Sequence, residues 1–356
     1  MNKSPVFPII FFFLILSHLF SQNKTEFKRV AQWKHSPVFT TDVYSFIDKD
    51  NHLVAALRNE HSVIITPKKI TPFGYLKQPP ARLTGISTAF FYNDDLAIVA
   101  QPDIINVFTR KGGTYVWKET KALQRGQSIH IIEEGLFYHG KFFISGLEAL
   151  KIDDNPKNRF LRRHFRLKVF AQNGTTLKNF CPVAIDGPTL QFEIISHLAG
   201  YHSDRVFFLA ANELKLSVIS ADTLAVSKEV QLKVPSFYKK MPKTFYRWER
   251  QYELATWEAR LKYLQDCDRG YSAIEEMVVD HNRLILQMRT ANPKLKKFAL
   301  LIYNADSFKL ETTVFLDDYL LDVKDGKYYT YQNGHPARDE GTDQCIINIY
   351  SFVSKK

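Results

Sequence analysis

The sequence predicts an all-β fold: a six-bladed β-propeller with one helical insertion, closed into a ring by strands from both termini. The first observation is a recurring phrase, in which a polar turn and one charged or His residue precede an apolar residue that opens a strand. It occurs at 50–53, 93–96, 139–142, 203–206, 281–284 and 325–328. The apolar anchors lie about 43, 46, 64, 78 and 44 residues apart. Propeller blades repeat at roughly 40–50 residues, and insertions lengthen that spacing.

The second observation is an apolar pair followed by turn-forming residues, which marks a later hairpin of the same repeat. It occurs at 107–113, 169–174, 218–222 and 302–306. Gly, Asn and Asp suit tight turns because they tolerate positive φ or hydrogen-bond to their own backbone. Two patterns in phase predict blades of about four strands each.

Individual strands follow from short runs rich in Val, Ile, Phe and Tyr between turn residues. The first repeat predicts strands at 43–47, 53–57 and 62–66, and the second at 86–92, 96–99 and 104–108. The last repeat predicts strands at 320–323, 328–332 and 346–352 and lacks a fourth. Residues 27–33 could supply it from the N-terminal end. Such a closure would remove the exposed edge of an open sheet.

Two intervals are longer than a blade requires. The first covers 153–163, where Asn155-Pro156 interrupts any regular element. The second covers 235–268 and shows helical spacing of apolar residues from about 243 to 266. Its basic residues and its aromatic side chains Trp248 and Trp257 fit a cap packed on the propeller. A basic amphipathic segment that meets a membrane surface or a partner is the alternative.

Residues 1–21 are predicted to be a signal peptide, and residues 22–356 are predicted to form the propeller domain. Lys3 precedes an apolar run over 6–20, and that run is shorter than the roughly 20 residues that span a bilayer. Cleavage would leave an exported chain, periplasmic or extracellular, without a transmembrane span. An uncleaved anchor is the alternative. The 3 cysteines have no metal-binding spacing and indicate no disulfide framework.

The chain is basic, with 48 Lys and Arg against 37 Asp and Glu. Outside the cell this favours an anionic protein or glycan, and no nucleic acid is expected as a partner. The densest basic cluster includes Arg159, Arg162, Arg163 and Arg166. Guanidinium groups could contact sulfate, phosphate or carboxylate there, or the cluster could be a solvated strand face. The domain is expected to be a monomer.

The sequence contains none of the local hydrolase, zinc-protease, phosphate-loop or EF-hand motifs. Candidate ligand-binding residues lie instead where each innermost strand begins, at the mouth of the central channel. They are Asp42, His130, His197, Glu275 or Glu276, and Asp317 or Asp318. Such a ring could hold a hard cation such as Ca²⁺, bind a cationic or sugar ligand, or place two carboxylates for glycoside chemistry. The alternative is a water-filled channel that needs no cofactor.

Over about residues 27–352 the repeats resemble six-bladed propellers of the NHL and TolB-like groups, and most of all the exported six-bladed propeller proteins of gut-type bacteria. This resemblance implies the fold and carries over no catalytic residue. We therefore expect a non-catalytic binding module that recognises a protein or a glycan at the propeller face. One alternative is a propeller hydrolase, either metal-dependent and lactonase-like or glycan-active, with its site at the channel. Another is a sensor whose helical insertion docks on a membrane partner.

Overall fold

The structure is a computed structural model of the 356-residue chain. It describes residues 25–36, 43–57, 61–74, 87–101, 104–124, 131–149, 162–186, 196–210, 214–240, 270–332 and 344–354, with Thr256, Glu258, Ala259 and Lys262.

The described residues form six antiparallel sheets of four strands each, which we number in chain order. Sheet 1 contains β2 (Val43–Ile47), β3 (Leu53–Leu57), β4 (Ser62–Ile65) and β5 (Ile70–Phe73). Sheet 2 contains β6 (Thr88–Tyr92), β7 (Asp95–Gln101), β8 (Ile104–Lys111) and β9 (Thr114–Ala122). Sheet 3 contains β10 (Ile131–Tyr138), β11 (Lys141–Ala149), β12 (Arg162–Ala171) and β13 (Thr176–Asp186).

Sheets 4 to 6 repeat this arrangement. Sheet 4 contains β14 (Ser196–Tyr201), β15 (Arg205–Ala210), β16 (Lys215–Ser220) and β17 (Ala225–Gln231), with a 3₁₀ turn at His202–Asp204. Sheet 5 contains β18 (Ile274–Asp280), β19 (Arg283–Arg289), β20 (Phe298–Asn304) and β21 (Leu310–Leu316). Sheet 6 contains β22 (Tyr319–Lys324), β23 (Lys327–Tyr331) and β24 (Cys345–Ser354), and its outer strand is β1 (Thr25–His35).

Pairing between the two terminal strands confirms the predicted ring closure. Strand β1 runs antiparallel to β24 from Thr25 opposite Ser354 to His35 opposite Cys345. The first strands of successive sheets contact one another around the ring, and β2 contacts β22 across the seam. These six strands are therefore the innermost ones, and the chain is a closed six-bladed propeller.

The recurring sequence phrase forms the turn between the first and second strands of each sheet. A residue at or next to each phrase has positive φ: Asn51, Asn93, His139, His202, His281 and Asp325. All six of these residues are Asn, Asp or His, which tolerate the left-handed region better than other side chains. The second pattern likewise lies between the third and fourth strands, as in the turn between β8 and β9, where Gly112 and Gly113 both have positive φ.

Packing between the sheets forms the hydrophobic core. The apolar anchors of all six phrases are fully buried: Leu53, Leu96, Phe142, Val206, Leu284 and Tyr328. Neighbouring inner strands approach closely at glycines. A Cβ on Gly135 would lie 2.4 Å from the ring of Phe90 in sheet 2, and a Cβ on Gly200 would lie 2.7 Å from the ring of Tyr138 in sheet 3. An aromatic ring thus packs directly on the backbone of the next blade.

The two ends of the propeller differ in the length of their connections. At one end the first and second strands, and the third and fourth, are joined by turns of two to five residues. The connections at the opposite end include 74–87, 150–161, 232–273 and 332–344. We call this the long-connection end. The inner strands begin there, so it surrounds the channel mouth considered in the sequence analysis.

Several predictions concern residues outside the described part of the chain. Residues 1–21 and most of the helical insertion at 243–266 belong to this group, so the signal peptide remains a prediction. Within the insertion, Glu258, Ala259 and Lys262 are helical. The hydroxyl of Thr256 accepts a hydrogen bond of 3.2 Å from the amide of Ala259, as the N-cap residue of a helix does. The described helical residues contain no segment both long enough and apolar enough to cross a membrane.

The interval at 153–163, expected to be an insertion, ends earlier than predicted. Strand β12 begins at Arg162, so Arg162, Arg163 and Arg166 belong to a strand paired on both sides with β11 and β13. Arg159 lies outside the described residues. The alternation of charged and apolar residues in this segment has the strand period of two, which explains why the sheet extends into it.

Candidate functional site

Three polar side chains occupy the same position on three successive inner strands. Glu134 of β10, His197 of β14 and Glu276 of β18 each lie four residues before the last residue of their strand. The corresponding position of β6 is Thr88, whereas β2 and β22 have the apolar residues Val43 and Leu320 there. Polar residues therefore follow one side of the channel wall through sheets 2 to 5. We call Glu134, His197 and Glu276 the polar row.

Direct contacts hold the polar row at two sheet boundaries, between sheets 3 and 4 and between sheets 5 and 6. Nδ1 of His197 lies 2.9 Å from Oε1 of Glu134, and the amide of Leu198 donates to the other oxygen of the same carboxylate. The hydroxyl of Tyr319 in sheet 6 donates to Oε1 of Glu276 at 2.6 Å. One donor atom from each member of the row lies within 4.8 Å of the other two. The row is thus a compact constellation contributed by three blades.

Bulges precede both carboxylates. The pairing of β10 with β11 shifts between Ile132 and Glu134, and the pairing of β18 with β19 shifts between Ile274 and Glu276. A bulge adds one residue to a strand and changes the direction of the side chains around it. Glu133 and Glu275 are the extra residues in these strands. In each strand the glutamate that follows the bulge belongs to the row.

Burial and charge shift the proton affinities of the row. His197 is 1% exposed. Burial alone would lower its pKa, but the neighbouring carboxylate of Glu134 raises it to about 9. Burial raises the pKa of Glu276 to about 8, although His197 and the hydrogen bond from Tyr319 act in the opposite direction. At neutral pH His197 is therefore charged and paired with Glu134, whereas Glu276 retains its proton to a large extent.

The other three described candidates for the channel mouth have different neighbours, and among them Asp317 forms an exposed ion pair with Lys296. Oε1 of Glu275 lies 3.4 Å from a guanidinium nitrogen of Arg289, and both side chains are largely buried. The carboxylate of Asp318 accepts hydrogen bonds from Thr330 at 3.1 Å, Asn348 at 2.7 Å and Tyr350 at 3.0 Å. These donors belong to β23 and β24, so Asp318 connects strands within the sheet that closes the ring.

The structure thus brings together only part of the predicted ring. Among its described members, His197 and the alternative Glu276 meet, while Glu275 and Asp318 bind elsewhere. Asp42 and His130, like Trp248 and Trp257, lie outside the described residues, and their roles remain predictions. The sequence reasoning missed Glu134, because it counted from the start of each strand. Counting back from the turn phrase would have aligned Glu134, His197 and Glu276.

Two further groups of carboxylate and histidine side chains lie at the end opposite the long-connection end. The strands are joined there by turns of two to five residues, and we call it the short-turn end. In one, Arg110 of sheet 2 contacts both Asp48 and Asp50 and lies 2.6 Å from Nδ1 of His52. In the other, Asp280 accepts hydrogen bonds from the amides of Asp325 and Gly326 at 3.0 and 2.8 Å. Protein groups already satisfy these carboxylates, and both groups join neighbouring sheets.

Comparisons with known proteins support the fold alone. No protein-family model and no curated protein matches the chain. Among solved structures, a member of the DUF4221 family from Bacteroides vulgatus superposes with a TM-score of 0.60 at 12% sequence identity, covering 94% of this chain and 100% of that one. The WD40 β-propeller domain of Doa1 has a TM-score of 0.43 at 11% identity, covering 92% and 97%. The Neurospora crassa Pan2 WD40 domain has 0.45 at 9% identity, covering 94% and 97%.

Proposed function

We propose that this chain is an exported, non-catalytic binding module that recognises an anionic protein or glycan at its long-connection end. The difference between the two ends of the propeller carries this proposal. One end has turns of two to five residues, and the other has connections as long as 232–273. Loops held by a rigid scaffold are the usual place for recognition, because they can change without disturbing the core.

The charge of the chain supports an anionic ligand. The formal net charge is +11 at pH 7. The longest connection contains Lys239, Lys240, Lys243, Arg247 and Arg250, and both Trp248 and Trp257. Arginine and tryptophan are enriched where binding energy concentrates, because they combine a large contact area with a polar group. A positively charged surface also accelerates association with an anionic partner, and salt weakens that effect.

Binding can be tested with the purified chain and a defined panel of polysaccharides: sulfated, uronic acid-containing and neutral. We expect saturable binding to an anionic member that weakens as salt is raised. Replacement of 333–343 by a short turn, or of Trp248 and Trp257 by Ala, should reduce it. His139→Asn is the matched control, because it alters the opposite end and keeps a residue that tolerates positive φ. Anionic proteins of the cell envelope, tested with the same variants, form the second arm.

Two results would contradict the proposal. The first is that changes at the short-turn end, but not at the long-connection end, remove binding. The second is that the intact chain binds neither the anionic polysaccharides nor an envelope protein.

Export is tested separately, by fractionation of the native cells followed by sequencing of the N-terminus. We expect the chain outside the cytoplasm and starting at Gln22, and a cytoplasmic chain starting at Met1 would contradict this.

The polar row favours a second candidate, a propeller hydrolase with its site at the channel. Carboxylates around 5 Å apart are the arrangement used by retaining glycosidases, and Glu134 and Glu276 have oxygens within 4.8 Å of each other. Aryl glycosides and lactones are suitable substrates for the test. Turnover that disappears in both Glu134→Gln and Glu276→Gln would favour the hydrolase over the binding module.

A further inference from the structure

The spacing of the polar row matches that of atoms bound to one metal ion. Carboxylate oxygens and imidazole nitrogens bind Zn²⁺ at about 2.0–2.2 Å, so two of them on the same ion are about 3–4 Å apart. His197 Nδ1 and Glu134 Oε1 are 2.9 Å apart, and the complete set of three donors lies within 4.8 Å. Small side-chain adjustments would place all three around a common centre.

Neighbouring groups hold these donors in position. The amide of Leu198 orients the carboxylate of Glu134, and the hydroxyl of Tyr319 orients that of Glu276. Metal-binding carboxylates are commonly fixed by such second contacts. His197 is 1% exposed, and its Nε2 is buried without a hydrogen-bond partner of normal geometry among the described residues. The imidazole therefore has one nitrogen facing the carboxylate of Glu134, and its other nitrogen faces the backbone of Ile274.

The row can also hold a divalent cation without a net charge. The charged groups acting on Glu276 are His197, Glu134 and Glu275, and Glu275 already faces Arg289 at 3.4 Å. Bound to a neutral imidazole and two carboxylates, a divalent ion would bring the row to a net charge of zero. The ion would replace protons, since metal ligands bind in their deprotonated forms.

We propose that Glu134, His197 and Glu276 bind one divalent transition-metal ion, Zn²⁺ or Mn²⁺, between sheets 3, 4 and 5. The mixed nitrogen and oxygen donors favour these ions over Ca²⁺ and Mg²⁺, which prefer oxygen alone. This inference goes beyond the proposed recognition of a protein or glycan and does not depend on it. The groups at Asp48 and Asp280 support no such site, because Arg110 and backbone amides already satisfy them.

The test uses the purified full-length chain, stripped with EDTA and dialysed against metal-free buffer at pH 8. Titration calorimetry with ZnCl₂, MnCl₂ and CaCl₂ measures affinity and stoichiometry, and thermal unfolding gives the change in Tm. We expect one Zn²⁺ or Mn²⁺ per chain with a micromolar or tighter Kd. We also expect a rise in Tm that EDTA reverses, because an ion that binds the folded state alone stabilises it.

Variants then locate the ion. Glu276→Gln and His197→Gln should each weaken binding by roughly ten-fold or more. Asp325→Asn is the matched control, because it removes a carboxylate from the His-containing group at the opposite end, and its affinity should equal that of the unsubstituted chain. Should the row variants fail to fold, the visible spectrum of Co²⁺ bound to the unsubstituted chain reports whether nitrogen and oxygen donors surround the ion.

Three results would overturn the proposal: no stoichiometric binding of Zn²⁺ or Mn²⁺, unchanged affinity in folded Glu276→Gln and His197→Gln, or binding of Ca²⁺ alone. In the first two cases the row would act as an ion pair that joins the blades, and in the third its donors would not select a transition metal.

Discussion

Arg110 of sheet 2 forms an ion pair with Asp48 of sheet 1, and the carboxylate of Asp48 is only 1% exposed. The amides of Asp50 and His52 also donate to this carboxylate, each at 2.9 Å. The guanidinium further contacts Asp50 and His52 themselves. One arginine therefore joins two blades and satisfies the buried charge in the turn of the first repeat.

Removal of the Arg110 side chain should destabilise the folded chain. Arg110→Ala leaves the carboxylate of Asp48 buried without its cation, and we expect the free energy of unfolding to fall by about 3 kcal/mol. The control is Lys215→Ala, which breaks an exposed pair with Glu229 and should cost less than about 1 kcal/mol. Urea denaturation measures both. Adding Asp48→Asn to Arg110→Ala should restore part of the loss, and equal losses in Arg110→Ala and Lys215→Ala would contradict the assignment.

A methyl group on Gly200 should destabilise the contact between sheets 3 and 4. Its Cβ would lie 2.7 Å from the ring of Tyr138, and overpacking of this kind costs about 2 kcal/mol. Gly270→Ala is the control, because a Cβ there meets nothing within 4 Å. Thermal unfolding of the two variants makes the comparison. Combining Gly200→Ala with Tyr138→Leu should recover stability if the ring is the cause.

The closing strand should contribute strongly to stability through Trp33. This side chain is 8% exposed, and its ring centroid lies 5.9 Å from that of Tyr329. Trp33→Ala should lower the free energy of unfolding by about 3 kcal/mol. Val30→Ala on the same strand removes a side chain that is 50% exposed and should change it by less than about 0.5 kcal/mol. Denaturation curves in which the two variants coincide would argue against closure through β1.

The stability of the seam between sheets 6 and 1 should fall as pH rises. Burial raises the pKa of Asp322 to about 7, although the amides of Ile47 and Val323 favour its charged form. The unfolded chain releases this proton near pH 4, so between about pH 4 and 7 the folded state holds more protons. In that window, each increase of one pH unit should therefore lower the free energy of unfolding by up to about 1.4 kcal/mol.

Asp322→Asn tests that assignment, because its neutral side chain cannot titrate. The hydrogen bond lost on substitution changes stability equally at every pH, so the informative quantity is the slope of unfolding free energy against pH. We expect a smaller decrease between pH 4 and 7 in the variant than in the unsubstituted chain. Identical slopes would show that Asp322 ionises normally.

The thiol of Cys345 should be inert in the folded chain. It is fully buried at the start of β24, and burial raises its pKa to about 12. Since the thiolate is the reactive species, a variant with Cys181→Ser and Cys267→Ser should not react with a disulfide reagent at pH 8. Denaturant should then expose one equivalent of thiol. Rapid reaction before denaturation would contradict the position of β24 in sheet 6.

Local sequence patterns predicted most of the fold. The predicted strands at 43–47 and 53–57 coincide with β2 and β3, because alternating apolar residues and turn-forming residues act over a few positions. The same patterns predicted six blades and the closure of the last blade by the N-terminal strand. Arg162 and Arg163 were misplaced in an insertion, because the alternation of apolar and charged residues in this strand begins only at Phe165.

The sequence by itself determined the architecture, since each blade repeats turns and strands that form through neighbouring residues. Only the tertiary structure decided which side chains meet at the channel. Glu134 and Glu276, which follow bulges in β10 and β18, lie close to His197. A bulge is a property of pairing between strands, and the three residues come from separate blades. The turn phrase aligns the three residues within their own strands, but their meeting depends on the closed ring that brings the strands together.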